Sequence, residues 1–264
     1  MQPQANRDNQ MSAKKKKIAM PDPMIGGPFT GLIQTLNRMG FVTNELDPIS
    51  RGFIIFSKKC KKPVLEIGAA YGLTVLKVLE QKVKIIANDA DERHLKILAE
   101  RVPNNLRKYL SIAPGEFPDG VILASESLEA ALSCRVFHFF DPAMLRRAIS
   151  SLFQCLCSGG KAFIIADSPY TQRAADLGRT PIYEDRRKKG DQWPGFFEGV
   201  HKEWPHMREI GPDIIHCLDP FVLRRVFEEQ GFEIEMADWI DRPDYPEGYK
   251  ANGRECVGVI ARKP

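Results

Sequence analysis

From Val64 to Ala166 short apolar runs alternate with stretches of helical period, and this alternation restricts the fold more than any other feature. Val64 to Ile67 is a short buried strand, Leu73 to Glu80 a helix, and Lys84 to Asn88 a second strand. Glu92 to Val102 is a helix stopped by Pro103. Lys108 to Ile112 and Leu128 to Cys134 supply two further strands. Pro142 to Leu156 is a long helix ended around Ser158-Gly159-Gly160, and Lys161 to Ala166 is a fifth strand. Strands separated by helices pair in parallel, because a helical crossover returns the chain to the same end of the sheet. Pro220 to Gln230 reads as a last helix ended by Gly231. Phe232 to Ile240 and Glu255 to Ala261, joined by the Pro- and Gly-rich segment from Arg242 to Gly253, read as a closing antiparallel hairpin. The pattern predicts an α/β fold of three layers, with helices on both faces of a mostly parallel sheet of seven strands in all.

The rest of the 264-residue chain frames that core, and its length suits one domain over 24–264 better than two. Residues 1–23 are polar and aperiodic and read as a disordered basic tail. Its run Lys14 to Lys17 is either simply solvated or a contact for RNA, an acidic partner or an anionic membrane. That run carries much of the net charge of +4, so the remaining domain is nearly balanced and nucleic acid is a disfavoured partner. N-terminal helices are expected over 27–59: one from the spacing of Phe29, Leu32, Ile33, Leu36 and Met39, ended by Gly40, and one from Pro48 to Ser57. Residues 168–216, rich in aromatics, prolines and charges, are too long for a connection and read as a lid-like insertion. The six cysteines, with no signal peptide or membrane span in view, suggest free thiols in a reducing cytoplasm. Cys155 and Cys157 lack the two-residue spacer of zinc and redox motifs, and no metal is expected.

The chemistry is concentrated in Val64-Leu65-Glu66-Ile67-Gly68-Ala69-Ala70-Tyr71-Gly72. An apolar strand runs into a small-residue loop that opens a helix, the place where open α/β sheets bind ligands. A dinucleotide fingerprint would need glycine where Ala70 and Leu73 stand, and no Gly-Lys-Ser/Thr of a phosphate loop is present. Glu66 would repel a phosphate but suits an ammonium or sulfonium. Asp89, at the end of the second strand, is placed to accept from ribose hydroxyls, or to cap the next helix. Glu116-Phe117 follows the third strand, where Glu116 is either a ligand contact or a solvated loop carboxylate.

Taken in order, these segments resemble the class I S-adenosylmethionine-dependent methyltransferases, over about Pro48 to Arg262. The E-x-G-x-x-x-G loop, the acidic end of strand two and the Glu116-Phe117 pair carry the resemblance. So do Leu132 to Phe140 after strand four, Leu156-Cys157-Ser158-Gly159-Gly160-Lys161, and Gln230-Gly231-Phe232 before the last hairpin. The resemblance implies a Rossmann-like sandwich and S-adenosylmethionine as cofactor. It implies Glu66 near the methionine amino group and Gly68, Ala69, Ala70, Tyr71 and Gly72 around the methionyl and ribose parts. It further implies Asp89 and Ala90 at the ribose, Glu116 and Phe117 at the adenine, and Cys134 at the methionine end. Ala70 departs from the commoner middle glycine, and Glu116 from the commoner aspartate.

Methyl transfer from a sulfonium is an in-line displacement that needs alignment and exclusion of water more than a set of catalytic groups. A base is required only if the nucleophile must lose a proton, and His138 after strand four is the candidate, or else a packed structural residue. In the insertion, Tyr170, Trp193, Phe197 and His201 are candidate acceptor contacts, the aromatics being alternatively the insertion's own core. Arg186-Arg187-Lys188-Lys189-Gly190 reads as a basic last helical turn or an anion site. The favoured expectation is a small-molecule acceptor such as a carboxylate or hydroxyl metabolite. A protein or RNA acceptor is the second, and a non-catalytic cofactor- or partner-binding protein the third.

Overall fold

The computed structural model describes residues 19–27, 29–203, 205–209 and 211–264, so most of the expected basic tail lies outside the described residues. In chain order the elements begin with β1 (Ile33–Gln34), β2 (Phe41–Val42), α1 (Pro48–Ser57), β3 (Val64–Ile67), α2 (Leu73–Glu80), β4 (Ile85–Asp89) and α3 (Glu92–Arg101). Next come β5 (Leu110–Pro114), β6 (Leu128–Cys134), α4 (Pro142–Cys155) and β7 (Leu156–Asp167). Then follow α5 (Gln172–Asp176), α6 (Arg179–Lys188), β8 (Phe196–Glu198), α7 (Val200–Glu203), β9 (Ile214–His216), α8 (Pro220–Glu229), β10 (Glu233–Ile240) and β11 (Cys256–Arg262).

The central sheet has seven strands in the order β10-β11-β7-β6-β3-β4-β5. Strands β3 to β7 are parallel, and β11 runs antiparallel to both β7 and β10. Successive side chains of a strand point to opposite faces. Leu65, Ile67 and Ala131 accordingly pack with α4 and α8, while Val64, Ala130 and Leu132 pack with α1, α2 and α3. The connections from β3 lead one way along the sheet to β4 and β5, and the later strands fill in on the other side. The strand order therefore switches between β3 and β6, and the carboxyl ends of these two strands open onto a cleft.

Helices α1, α4 and α8 share one device at their starts. Asp47, Asp141 and Asp219 each cap a backbone N–H of the first turn, and each is followed by a proline at the first helical position. Proline lacks the N–H that would be orphaned there, and the aspartate satisfies one that remains.

The N-terminal segment differs from the sequence expectation. Phe29 to Met39 is not helical; Ile33–Gln34 and Phe41–Val42 pair as a small antiparallel hairpin. Gly26, Gly27, Gly31 and Arg38 take positive φ of 76°, 74°, 85° and 61°, which breaks a right-handed helix, and the Thr35 hydroxyl secures the turn by bonding Gly40 O. Ile33 then packs with Tyr71 and Ile97, and so docks the hairpin on the domain. The helix expected over Pro48 to Ser57 is present. Strand β7 begins at Leu156, earlier than the expected Lys161, so Ser158-Gly159-Gly160 lies within a bulged strand start rather than a terminal turn. Residues 168–216 hold α5, α6, α7, β8 and β9, with Tyr170, Tyr183, Phe197 and Cys217 as a local core.

Candidate functional site

The cleft at the switch point has a volume of about 810 Å³ and runs from the loop after β3 to the insertion. Its first half is built by the β3–α2 loop. Gly68 and Gly72 sit at φ 70° and 79°, and a Cβ on either would strike Val136 or Leu98. Ala70 lies between them at φ 44°, a backbone state that favours glycine. Asp89 holds it there: its Oδ2 accepts from Ala70 N at 2.8 Å. The Asp89 Oδ1 accepts from Asp91 N at 2.9 Å and from His94 Nδ1 at 3.0 Å. His94 Nε2 in turn accepts from Leu36 N at 2.9 Å, which fixes its proton on Nδ1. The cap of α3 is Asp91, so Asp89 is left as the buried carboxylate of the cleft wall. Asn88 donates to Ala113 O and Gly115 O, both at 2.8 Å, and brings the loop after β5, with exposed Glu116 and buried Phe117, to the same wall.

Glu66 is buried beside this loop, and its Oε2 has no hydrogen-bond partner among the described residues. Burial lifts its carboxyl to about 8, and the Asp47 and Asp89 carboxylates push the same way, against the pull of the Thr74 hydroxyl and Val75 N–H. Asp47, Ala69, Ala90 and Cys134 also line this end, and burial pushes the Cys134 thiol up. Tyr71 and Gly72 shape the loop from behind without lining the cleft; the Tyr71 hydroxyl donates to Gln34 O at 2.8 Å and anchors the hairpin.

The second half opens beyond β6 and β7. Arg135, at φ 60°, donates through Nε to Asp167 Oδ1 at 3.0 Å and through Nη2 to Oδ2 at 3.3 Å. Its Nη1 reaches Phe41 O in the hairpin at 3.2 Å, and Tyr249 donates to Asp167 Oδ2 at 2.8 Å. Burial works to raise the Asp167 carboxyl, but Arg135 and the Tyr249 hydroxyl hold it well below the usual carboxylate range. His138 lines the cleft on the turn Phe137–Phe139; its Nδ1 accepts from Asp167 N at 3.3 Å, and burial lowers the imidazole to about 4. Arg173, Arg208, Gly211, Pro212, Ile214 and Ile215 bring the insertion to the cleft, and Phe29, Phe41 and Val42 bring the hairpin.

The four residues expected as acceptor contacts do not line it. Tyr170 and Phe197 are spent in the local core of the insertion. Trp193 packs edge-on to His216 at 5.4 Å and lies against Arg146 and Arg225. His201 bonds Gly211 O at 3.0 Å, behind the cleft-lining loop. Asp47, Arg135, Asp167, Tyr249 and the hairpin were missed. Asp47 carries a signal, the Asp-Pro helix start; Arg135 lies within Leu132 to Phe140 with nothing in the sequence to mark its partner Asp167, 32 positions away.

Solved structures of low identity share this architecture. A methyltransferase from Methanosarcina mazei, described as S-adenosylmethionine-dependent, is 18% identical over 83% of this chain and 98% of its own, with a TM-score of 0.55. One from Mesorhizobium loti is 15% identical over 82% and 96%, with a TM-score of 0.56. The glycopeptide N-methyltransferase MtfA, solved with S-adenosylmethionine, is 15% identical over 81% and 92%, with a TM-score of 0.54. No curated protein matches the sequence. Residues 65–164, which contain the loop, Asp89, Glu116 and His138, match the family model of the methyltransferase domain. The chain thus carries a methyltransferase-domain match over residues 65–164 within the fold shared by these S-adenosylmethionine-dependent methyltransferases. The cleft fits S-adenosylmethionine. A buried carboxylate oxygen without a partner, backed by two more carboxylates, is a place for a cationic amino group and would exclude a phosphate. Among the described residues no helix is long and apolar enough to cross a membrane.

Proposed function

We propose that the chain is an S-adenosylmethionine-dependent methyltransferase that modifies a small-molecule acceptor held between the hairpin and the insertion. One observation carries this: the cofactor-side residues Glu66, Asp89 and Glu116 and the far-side residues His138, Arg173 and Ile214 line one cleft of about 810 Å³. That is within the size range of small-molecule sites. Glu66 would hold the methionine ammonium and Asp89, with Ala90, the ribose. Gly68, Ala69 and Ala70 would give close backbone approach, while Glu116 and Phe117 would face the adenine. Cys134 would close the methionine end. The bound cofactor supplies a methyl group already activated on sulfonium. The chain's own work is then alignment and dryness: the hairpin and Phe139, Phe140 and Ile214 surround the far half of the cleft with apolar side chains.

Transfer of a labelled methyl group to metabolite, peptide and RNA pools tests this reading. Label is expected in the metabolite pool. Label confined to peptide or RNA would overturn the small-molecule assignment, and absence of S-adenosylmethionine binding by calorimetry would overturn the site.

A further inference from the structure

We infer that the acceptor is a carboxylate on an apolar body, methylated on oxygen, and that His138 holds it as a hydrogen-bond donor and not as a base. The inference deepens the small-molecule reading and rests on it.

It starts from the hydrogen bond that fixes the His138 tautomer. Asp167 N–H points at Nδ1, so Nδ1 is the bare nitrogen and Nε2 carries the proton of the neutral ring. The ring is buried and lines the cleft, so what it offers a ligand there is an N–H. Burial opposes a second proton on the ring and outweighs the pull of the Asp167 carboxylate, and the Arg135 guanidinium opposes it too.

No buried group beside His138 provides a substitute base. Both Asp167 oxygens are taken, by Arg135 and Tyr249. The Tyr249 hydroxyl is spent as a donor to that carboxylate, and burial keeps its proton on. Asp141 caps α4 through a bond from Met144 N at 2.7 Å, and Glu45 and Glu209 are exposed. A donor and a cation line the cleft instead: the His138 N–H and the exposed Arg208 guanidinium. Phe139, Met144, Ile214 and Ile215 line the same cleft and suit an apolar body.

A donor facing the nucleophile would occupy the single lone pair of an amine. A hydroxyl would need a base. A carboxylate needs neither concession, because one oxygen can accept from His138 while another lone pair attacks. In the step, a carboxylate oxygen forms a bond to the methyl carbon as the carbon–sulfur bond breaks. The electron pair of that bond leaves with sulfur, which becomes a neutral thioether, and the acid becomes a neutral methyl ester. No proton moves.

The full chain is incubated with methyl-labelled S-adenosylmethionine and either aryl- and alkyl-carboxylic acids or their matched amines and phenols. Label is expected in the acids only, released as volatile methanol by mild alkali, as a methyl ester requires. Alkali-stable label, or label in the amines or phenols, overturns the carboxylate inference and leaves the methyltransferase reading standing. No label in any pool overturns both. With an accepted acid, His138→Gln, which keeps a donor, is expected to stay within about fivefold of wild-type kcat/KM. His138→Phe is expected to raise KM by about tenfold or more, the worth of a bond to a charged group. If His138→Gln is as impaired as His138→Phe, or if kcat at saturation climbs with pH in the wild type but not in His138→Gln, His138 acts as a base and the inference fails. Arg208→Ala, at an exposed position, is expected to raise KM for the acid and leave cofactor binding unchanged.

Discussion

Replacing Glu66 by Gln should remove a proton that cofactor binding otherwise expels. The Glu66 carboxyl is raised to about 8 by burial next to Asp47 and Asp89, so in the free protein at neutral pH it is mostly protonated. The sign follows from the direction of the shift. Because the folded state binds this proton more tightly than the unfolded chain, Glu66 lowers folding stability as pH rises from its ordinary range towards 8. An ammonium seated against Oε2 favours the ionised form and reverses that. Ionising the free site first reduces affinity by a factor of about 100 at pH 6 and about 10 at pH 7, from the two and one pH units that separate these from 8. S-adenosylmethionine should therefore bind about tenfold more tightly at pH 7 than at pH 6. Nearly one proton should be released per cofactor bound. Calorimetry at pH 7 in two buffers of different ionisation enthalpy measures that proton directly. Glu66→Gln keeps an oxygen for Thr74 and Val75, so it should fold, bind with no proton release, and show a flat profile. At pH 8 its affinity should be weaker by about tenfold or more, the worth of a charge-assisted bond. Equal wild-type affinity at pH 6 and 7, or unchanged affinity in Glu66→Gln, would refute the assignment of Glu66 to the cofactor's cation.

Three further outcomes follow from the same wall of the cleft. Asp167→Asn breaks a buried pair from one side and should cost about 3–5 kcal/mol in urea unfolding at pH 7. The Asp167 carboxyl is held below its ordinary range, so the pair's contribution is complete above about pH 4 and lost as pH falls through the folded value. The variant should accordingly lose less stability than wild type on acidification to pH 2. Ala70→Gly relieves a φ of 44° and should stabilise by about 0.5–1 kcal/mol, a left-handed residue's cost less the added freedom of the unfolded glycine; a lower Tm would count against strain at this loop. Gly68→Ala drives a Cβ into Val136 at φ 70° and should cost about 2–4 kcal/mol together with cofactor binding, checked by melting and calorimetry.

The parallel core was legible because its signals are local. Val64 to Ile67, the glycine loop and Leu73 to Glu80 stand where the sequence pattern puts them, since a buried strand and an amphipathic helix each announce their own period. Asp89, Glu116 and His138 were legible as residues at strand ends, which the fold turns towards one cleft. The hairpin was not. Its apolar spacing mimics a helix, and what decides otherwise is positive φ at Gly31 and Arg38 with burial against Tyr71 and Ile97, a long-range matter. The insertion failed for a related reason. Aromatic content signals packing, but whether Tyr170 and Phe197 pack on each other or on a ligand depends on which face of the insertion meets the sheet.

The hairpin's attachments have a consequence for how the two halves of the cleft respond to change. Gln34 is bonded to Tyr71, Leu36 to His94, and Phe41 to Arg135. Tyr71 belongs to the loop after β3, His94 grips Asp89, and Arg135 grips Asp167. One small hairpin is thus fastened to both halves of the cleft. Tyr71→Phe, which cuts the fastener behind the glycine loop, is accordingly expected to loosen the hairpin over the far half of the cleft as well as the near half, read as faster amide exchange at Phe41 and Val42.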